Sequence, residues 1–352
     1  MQMESLHTLD SSIQLSPISV DTKCEILHYL WNRDVQTSRY YDGDLNYDPF
    51  FSYYIDQCAD ALHDGGRHVS IRTHRDIIEV AQHLKSGLTR DAIKKIIGSK
   101  LSIPKPTNED EVLDGSLDLV ARLLLMIEFG SLQYGFTGRR QLVWDEKSLE
   151  ESVGEYFSST PRNLGQESVK LERIFNARNL GRIAGIDIEW TRNLADHLRL
   201  LDEDKKVAIF HHASFLECHL KSPLFPVGLV EETMRTLALL FPQTDKKTKK
   251  WFRKLSSRQN IDTKALNCGR LRAEDRHIEN FDFWHDRLII LKQVFDETEP
   301  STLSQWWYDK RKRVQCYTFW VAALVLALTI LFGLIQCIEG ALQVYKAYHP
   351  TT

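Results

Sequence analysis

YTFWVAALVLALTILFGLIQCI, residues 317–338, carries no charge and ends fourteen residues before the last position of the chain. At about 1.5 Å rise per residue it makes a helix of roughly 33 Å, enough to cross a hydrocarbon core about 30 Å thick. The segment reads as a single C-terminal transmembrane helix, a tail anchor. The 316 residues before it are too charged to enter a bilayer, so they are expected to form a folded domain outside it.

The flanks of the span set its expected orientation. Lys310, Arg311, Lys312 and Arg313 precede it, whereas the tail at 339–352 offers only Lys346. The positive-inside bias therefore predicts a cytosolic N-terminal domain and a lumenal tail, in the endoplasmic reticulum or another endomembrane rather than the mitochondrial outer membrane. Trp306, Trp307, Tyr308, Tyr317 and Trp320 have the apolar body and polar edge of an interfacial aromatic belt, so 300–316 reads as a linker and juxtamembrane collar. MQMESLHTLDSS at the start lacks the basic and apolar regions of a signal peptide. Along the span and just past it, Thr329, Gly333, Gln336 and Gly340 recur at helical spacing on one stripe, along which two copies of the helix are expected to associate.

Composition describes an ordinary folded chain: 352 residues, 43% hydrophobic and 26% charged, a length that favours two domains. We expect a mobile N-terminus at 1–20, a helical region at 21–160 and an α+β region at 161–299. Six cysteines without CxxC spacing fit a reducing compartment better than a disulfide framework, and no structural zinc is expected. Cys316, beside the span, reads either as a passive thiol or as a palmitoylation site.

The net charge of −3 conceals a partition. Residues 242–258 hold seven Lys/Arg against Asp245, a net +6, and residues 305–313 a net +3, which leaves −12 for the rest. In the first stretch Lys246, Lys247, Lys249, Lys250, Arg253 and Lys254 are interleaved with Trp251 and Phe252. Two readings stand equal: a surface that meets anionic lipid, at about 1 kcal/mol per basic residue with the rings inserting, or a solvated turn docked on an acidic face of the same domain.

Periodicity supplies the elements. Residues 77–98 predict two short helices broken at Ser86-Gly87, with Thr89 as an N-cap. Pro104, Pro106 and NEDEVLDG read as a linker, and 117–129 as a helix buried on nearly every side. Residues 141–144, 183–190 and 207–210 have strand composition, with a short helix expected between the last two. Residues 230–241 predict an amphipathic helix stopped by Pro242. The most sustained apolar period, at 271, 278, 281, 284, 288, 291 and 295, predicts one long helix closed by Pro300. The predicted class is α+β, mostly helical, with a small β-sheet.

No motif carries a chemistry of its own. Asp42, Asp44 and Asn46 imitate the start of an EF-hand loop, but Tyr47 and Tyr53 stand where its glycine and bidentate glutamate belong. His211, His212, Cys218 and His219 lack the spacing that would fix them around a metal. AQHLKSGLTRDAIKKIIGSK at 81–100 has the flavour of a helix-turn-helix, yet its turn spacing is off and nucleic acid is disfavoured as a partner. Neither a phosphate-binding P-loop nor a nucleophile elbow is present. No cofactor, metal or catalytic residue is assigned.

Taken whole, IAGIDIEWTRNLADHLRLLDEDKKVAIFHHASFL (183–216) and STLSQWWYDKRKRVQCYTFWVAALVLALTILFGLIQCIEGALQVYKAY (301–348) resemble a widespread group of uncharacterised filamentous-fungal proteins with a single C-terminal transmembrane helix. The resemblance covers the C-terminal half and implies a membrane-anchored cytosolic domain; no activity and no site residue follow from it. The function expected is that of a membrane-anchored, non-enzymatic interaction or scaffold protein with membrane lipid and a cytosolic protein as partners. The alternatives are a membrane-tethered enzyme, which a polar cleft of convergent titratable residues would favour, and a nucleic-acid-binding module, which a continuous basic face around Arg90, Lys94, Lys95 and Lys100 would favour.

Overall fold

The structure is a computed structural model that describes residues 8–14, 16–41, 45–101, 107–129, 142–158, 169–298 and 313–348. Of the N-terminus expected to be mobile, residues 1–7 and 15 lie outside the described residues, whereas 8–14 and 16–20 are described and bury Leu9, Ile13 and Ile18 in the core. Most of the collar, Lys310, Arg311, Lys312, Pro104, Pro106 and the acidic pair Asp42 and Asp44 also lie outside. The architecture is mostly helical with one small sheet and one C-terminal apolar helix.

The helices before the sheet are α1 (Val20–Trp31), α2 (Asp48–Ala61), α3 (His74–Lys85), α4 (Arg90–Ser99), α5 (Glu109–Leu125) and α6 (Leu149–Ser158). The start of α3 is a capping box: Thr73 Oγ1 accepts from the Asp76 amide while the Asp76 carboxylate accepts from the Thr73 amide. Gly87, at φ +72°, breaks the chain before α4 as expected, although Thr89 at the N-cap makes no side-chain capping bond. NEDEVLDG is not a linker. Its acids Glu109, Asp110 and Glu111 form the first turn of α5, where they complement the positive end of the helix dipole. Within α5, Gly115 lies against another backbone, since a Cβ there would sit 2.2 Å from the His68 carbonyl oxygen. The helix stops at Leu125, with Met126 in the left-handed region, rather than running to 129.

The sheet consists of β1 (Asp187–Thr191), β2 (Leu200–Leu201) and β3 (Lys206–Phe210), in the order β1-β3-β2. β3 is central; it pairs parallel with β1 in the register Ile188↔Val207 and antiparallel with β2 through Leu200↔Val207. The strand expected over 183–190 starts only at Asp187, because 180–184 wind into a wide helical turn. The helix expected between the last two strands is absent from the described residues. Asn193 caps a single turn at Leu194–Asp196, and Asp202, Glu203 and Asp204, all at positive φ, form the tight reversal from β2 into β3. Residues 142–144 form no strand either, since Leu142 makes one isolated bridge, to Phe129.

After β3 come α7 (Ala213–Cys218), α8 (Leu229–Leu240), α9 (Lys246–Ser256), α10 (His285–Glu297) and α11 (Arg313–Tyr348). The long helix expected over 271–295 is instead two single turns and then α10. Tertiary hydrogen bonds divert its backbone. The Leu171 amide takes the Arg276 carbonyl (2.8 Å), the Ile278 amide donates to Val169 (3.0 Å), and the buried Glu232 carboxylate on α8 accepts the Asp282 and Trp284 amides at 2.7 Å each. The apolar positions are nonetheless core: Ile278, Phe281, Trp284, Leu288, Leu291 and Phe295 are all buried.

A single apolar cluster runs through the helical and the α+β regions. Phe50 of α2 stacks on Phe215 of α7 at 5.8 Å, Trp31 of α1 meets the same ring edge-on at 5.6 Å, and Arg33 reaches the Glu217 carbonyl at 2.6 Å. In contrast, Tyr317–Tyr345 of α11 is long and apolar enough to cross a membrane, and none of it is buried.

Candidate functional site

The basic segment folds as α9, a helix with two unlike faces. The Asp245 carboxylate caps it, accepting from the Lys247 amide at 2.9 Å and from Thr248 Oγ1 at 2.7 Å. Against the upward push of partial burial, those bonds hold the Asp245 carboxyl below its ordinary value. Thr248 and Phe252 are buried, with Trp251 and Leu255 half-buried beside them. Lys246, Lys247, Lys250, Arg253 and Lys254 point outward, and Lys249 lies at the boundary. No carboxylate among the described residues pairs with any of these six cations.

This arrangement corrects one expected lipid contact. Phe252 is fully buried, with its ring 5.0 Å from Phe241 and 5.9 Å from Trp190, both edge-to-face, so it cannot insert into a bilayer. Trp251 lines a groove of about 660 Å³ against β1, together with Trp190 and Leu255. The apolar face docks on the domain and the cationic face meets solvent.

Beside the start of α9 lies a cleft of about 840 Å³. Its walls are the end of α8, the 242–245 turn, residues 172–179 and residues 269–276. Arg173, Arg270, Arg272 and Arg276 all line it. Sequence reading missed this cluster because Arg173 is about a hundred positions from the others. The available signal was GRLRAEDR at 269–276, three arginines in eight residues.

A group of strongly shifted histidines and one aspartate lies elsewhere, in the interior around β3 and α7. Burial pushes His197, His211 and His219 down to about 3 and His212 well below its usual value. Arg287 adds to the effect on His197, Arg192 on His211 and Lys85 on His219. His197 Nδ1 accepts from the Phe210 amide at 3.1 Å, so its Nε2–H donates to Thr236 Oγ1 at 2.6 Å. Asp262 is pushed up to about 7 because burial outweighs the bonds it accepts from the Ser214 amide and hydroxyl and the Lys264 amide.

Ser214, Asp262 and His211 superficially resemble a nucleophile triad, but the connectivity is wrong. Ser214 Oγ donates to the carboxylate at 3.0 Å, and His211 Nδ1 accepts the Asp262 backbone amide at 3.2 Å. The hydroxyl meets the carboxylate directly with no imidazole between them, and all three groups are buried. They cap α7 and tie residue 262 to the sheet. Among the described residues no group of three or more His, Cys, Asp and Glu could hold a metal ion.

The basic residues on which the nucleic-acid reading stood are mostly engaged within the fold. Arg90 pairs with Asp114 at 2.9 Å and Asp118 at 2.8 Å and lies over the Trp144 ring; Lys94 pairs with Asp114 and Lys100 with Glu79. Three of the four basic residues of that face are thus paired with carboxylates, while Lys95 is exposed. In α11, Thr329 Oγ1 donates back to the Val325 carbonyl at 2.8 Å, which satisfies its hydroxyl within the helix, and Gln336 is exposed between the half-exposed Gly333 and Gly340. Arg313 opens this helix. Comparison of the chain with protein-family models, with curated proteins and with solved structures returned no match.

Proposed function

We propose that this chain is a single-pass membrane protein whose α+β domain sits on the cytosolic face of an endomembrane and acts there, without catalysis, as an interaction or scaffold module. The observation that carries the reading is α11. Between 317 and 345 it exposes thirteen Leu, Ile, Val and Phe side chains, and none of the described residues buries them. At about −0.3 to −0.6 kcal/mol each on an insertion scale, these favour bilayer over water by roughly 4 to 8 kcal/mol. The cluster from Lys310 to Arg313 favours keeping the domain on the cytosolic side. Glycosylation mapping tests this: an acceptor added after Thr352 should be modified and one placed within residues 1–15 should not. Modification of the N-terminal acceptor alone would reverse the orientation.

The outward face of α9 supplies the contact with membrane lipid. Five unpaired cations on one helix face are attracted to anionic headgroups while the opposite face holds the helix to the domain. With the full chain in nanodiscs, acetylation of Lys246, Lys247, Lys250 and Lys254 should slow several-fold when phosphatidylserine is added to phosphatidylcholine, and high salt should erase the protection. Equal labelling in the two lipids would leave α9 as a solvated face. A cytosolic protein remains part of the proposal as the partner the domain presents itself to.

A further inference from the structure

We propose that the arginine-lined cleft is a binding site for a compact ligand carrying several phosphates, of the inositol polyphosphate class. Four guanidinium groups, from Arg173, Arg270, Arg272 and Arg276, line one concavity of about 840 Å³. Arg173, Arg270 and Arg272 are exposed and have no side-chain ion pair or hydrogen bond among the described residues, while Arg276 Nε donates to the Arg272 carbonyl at 3.3 Å. Two carboxylates also line the cleft. Asp245 is committed to capping α9, which leaves Glu172 as the one opposing charge not engaged in the fold.

Like charges held together without counter-charges repel one another, and an anion bound among them removes that repulsion. The planar guanidinium fork matches phosphate oxygens two at a time, and four forks exceed what one phosphate can accept. The ligand is therefore expected to bear clustered phosphates on a small frame. The remaining wall is suited to such a frame: Gln243 and Thr244 bring polar groups, and Ile174 and Leu271 offer apolar surface to a ring. The cleft borders the N-cap of α9 at Asp245, and the charge of the helix that starts there draws polyanions toward it.

The shared chemistry admits two sources, a phosphoinositide headgroup in the bilayer or a soluble inositol polyphosphate. The inference rests on the cleft alone, so a chain with the opposite topology would keep the site but meet a different pool of ligand. The test uses the full chain in phosphatidylcholine nanodiscs titrated calorimetrically with inositol hexakisphosphate. Saturable binding is expected, and the combined Arg173→Gln, Arg270→Gln and Arg272→Gln variant should weaken it by more than about tenfold, since it removes three charge-assisted contacts at once. Because these side chains are exposed, circular dichroism should report an unchanged fold. The variant Lys246→Gln, Lys250→Gln, Lys254→Gln removes the same number of charges outside the cleft and should cost about threefold or less, through loss of steering only.

A lipid arm distinguishes the sources. If nanodiscs that also contain phosphatidylinositol bisphosphate weaken the apparent affinity for the soluble ligand in the native chain but not in the arginine variant, the headgroup reaches the cleft. No such competition assigns the site to a soluble ligand. Absence of binding in both arms, or equal losses in the arginine and lysine variants, would overturn the proposal.

Discussion

Acid should unfold the domain well above the pH at which its carboxylates protonate: the urea midpoint of the full chain, steady above pH 7, should fall steeply between pH 6.5 and 5. The cause is the set of buried histidines. His197, His211 and His219 are held at about 3, His74 at about 4 and His212 well below its ordinary value, in each case first by burial. A histidine whose folded value is depressed takes up its proton only on unfolding, near 6.5. Its contribution is therefore intact above that pH and drains away as the pH falls toward the folded value. Asp262 acts in the opposite sense. With its folded value raised to about 7, the native state keeps a proton that the unfolded chain releases above about 4, so its share improves as pH falls through that window.

Five histidines against one aspartate leave a net uptake of about four protons on unfolding. At about 1.4 kcal/mol per proton per pH unit, stability falls by up to about 5 kcal/mol for each unit. That is comparable to the whole stability of a typical domain, about 5 to 15 kcal/mol. Near-ultraviolet circular dichroism during urea titrations at pH 7.5, 6.5 and 5.5 reads the effect. A midpoint that stays level or rises on acidification would show that these rings are solvated or already charged in the native state.

What the sequence disclosed divides by range. Local chemistry was legible. The Gly87 break, the Pro242 stop after α8 and the apolar residues of α11 all act within one or two turns, and each appears where its residues predict. Elements decided from a distance were not. The 271–295 stripe has a helical period, yet Glu232, some fifty residues away, captures two of the amides that a helix would have used. The sequence predicts a short helix across the reversal at Asp202, Glu203 and Asp204, because three successive left-handed residues without glycine carry no spacing signal. The arginine cleft was invisible for the same reason, being assembled from segments far apart in the chain. The basic helix was half legible: its charge was plain, whereas which ring faced inward depended on Trp190 and Phe241.

Phe252→Ala should cost the domain about 3 to 5 kcal/mol, the usual loss when a fully buried phenylalanine is cut to the β-carbon. The ring is enclosed by a small aromatic group in which Trp190 stacks on Phe241 at 5.9 Å and also meets His211 edge-on at 5.6 Å. Removing Phe252 leaves a cavity against the edge strand β1 and takes away two edge-to-face contacts, each worth about 0.5 to 1.5 kcal/mol within that total. Two residues earlier on the same helix, Lys250→Ala removes an exposed and unpaired cation and should change stability by less than about 0.5 kcal/mol. Denaturant midpoints of the two variants against the parent chain make the comparison. A loss below about 1 kcal/mol for Phe252→Ala would mean that the ring is not part of the core, and a lipid-inserting Phe252 would return as the better account. A large loss at Phe252 with none at Lys250 would leave α9 docked through one face, with its cations free for an anionic surface.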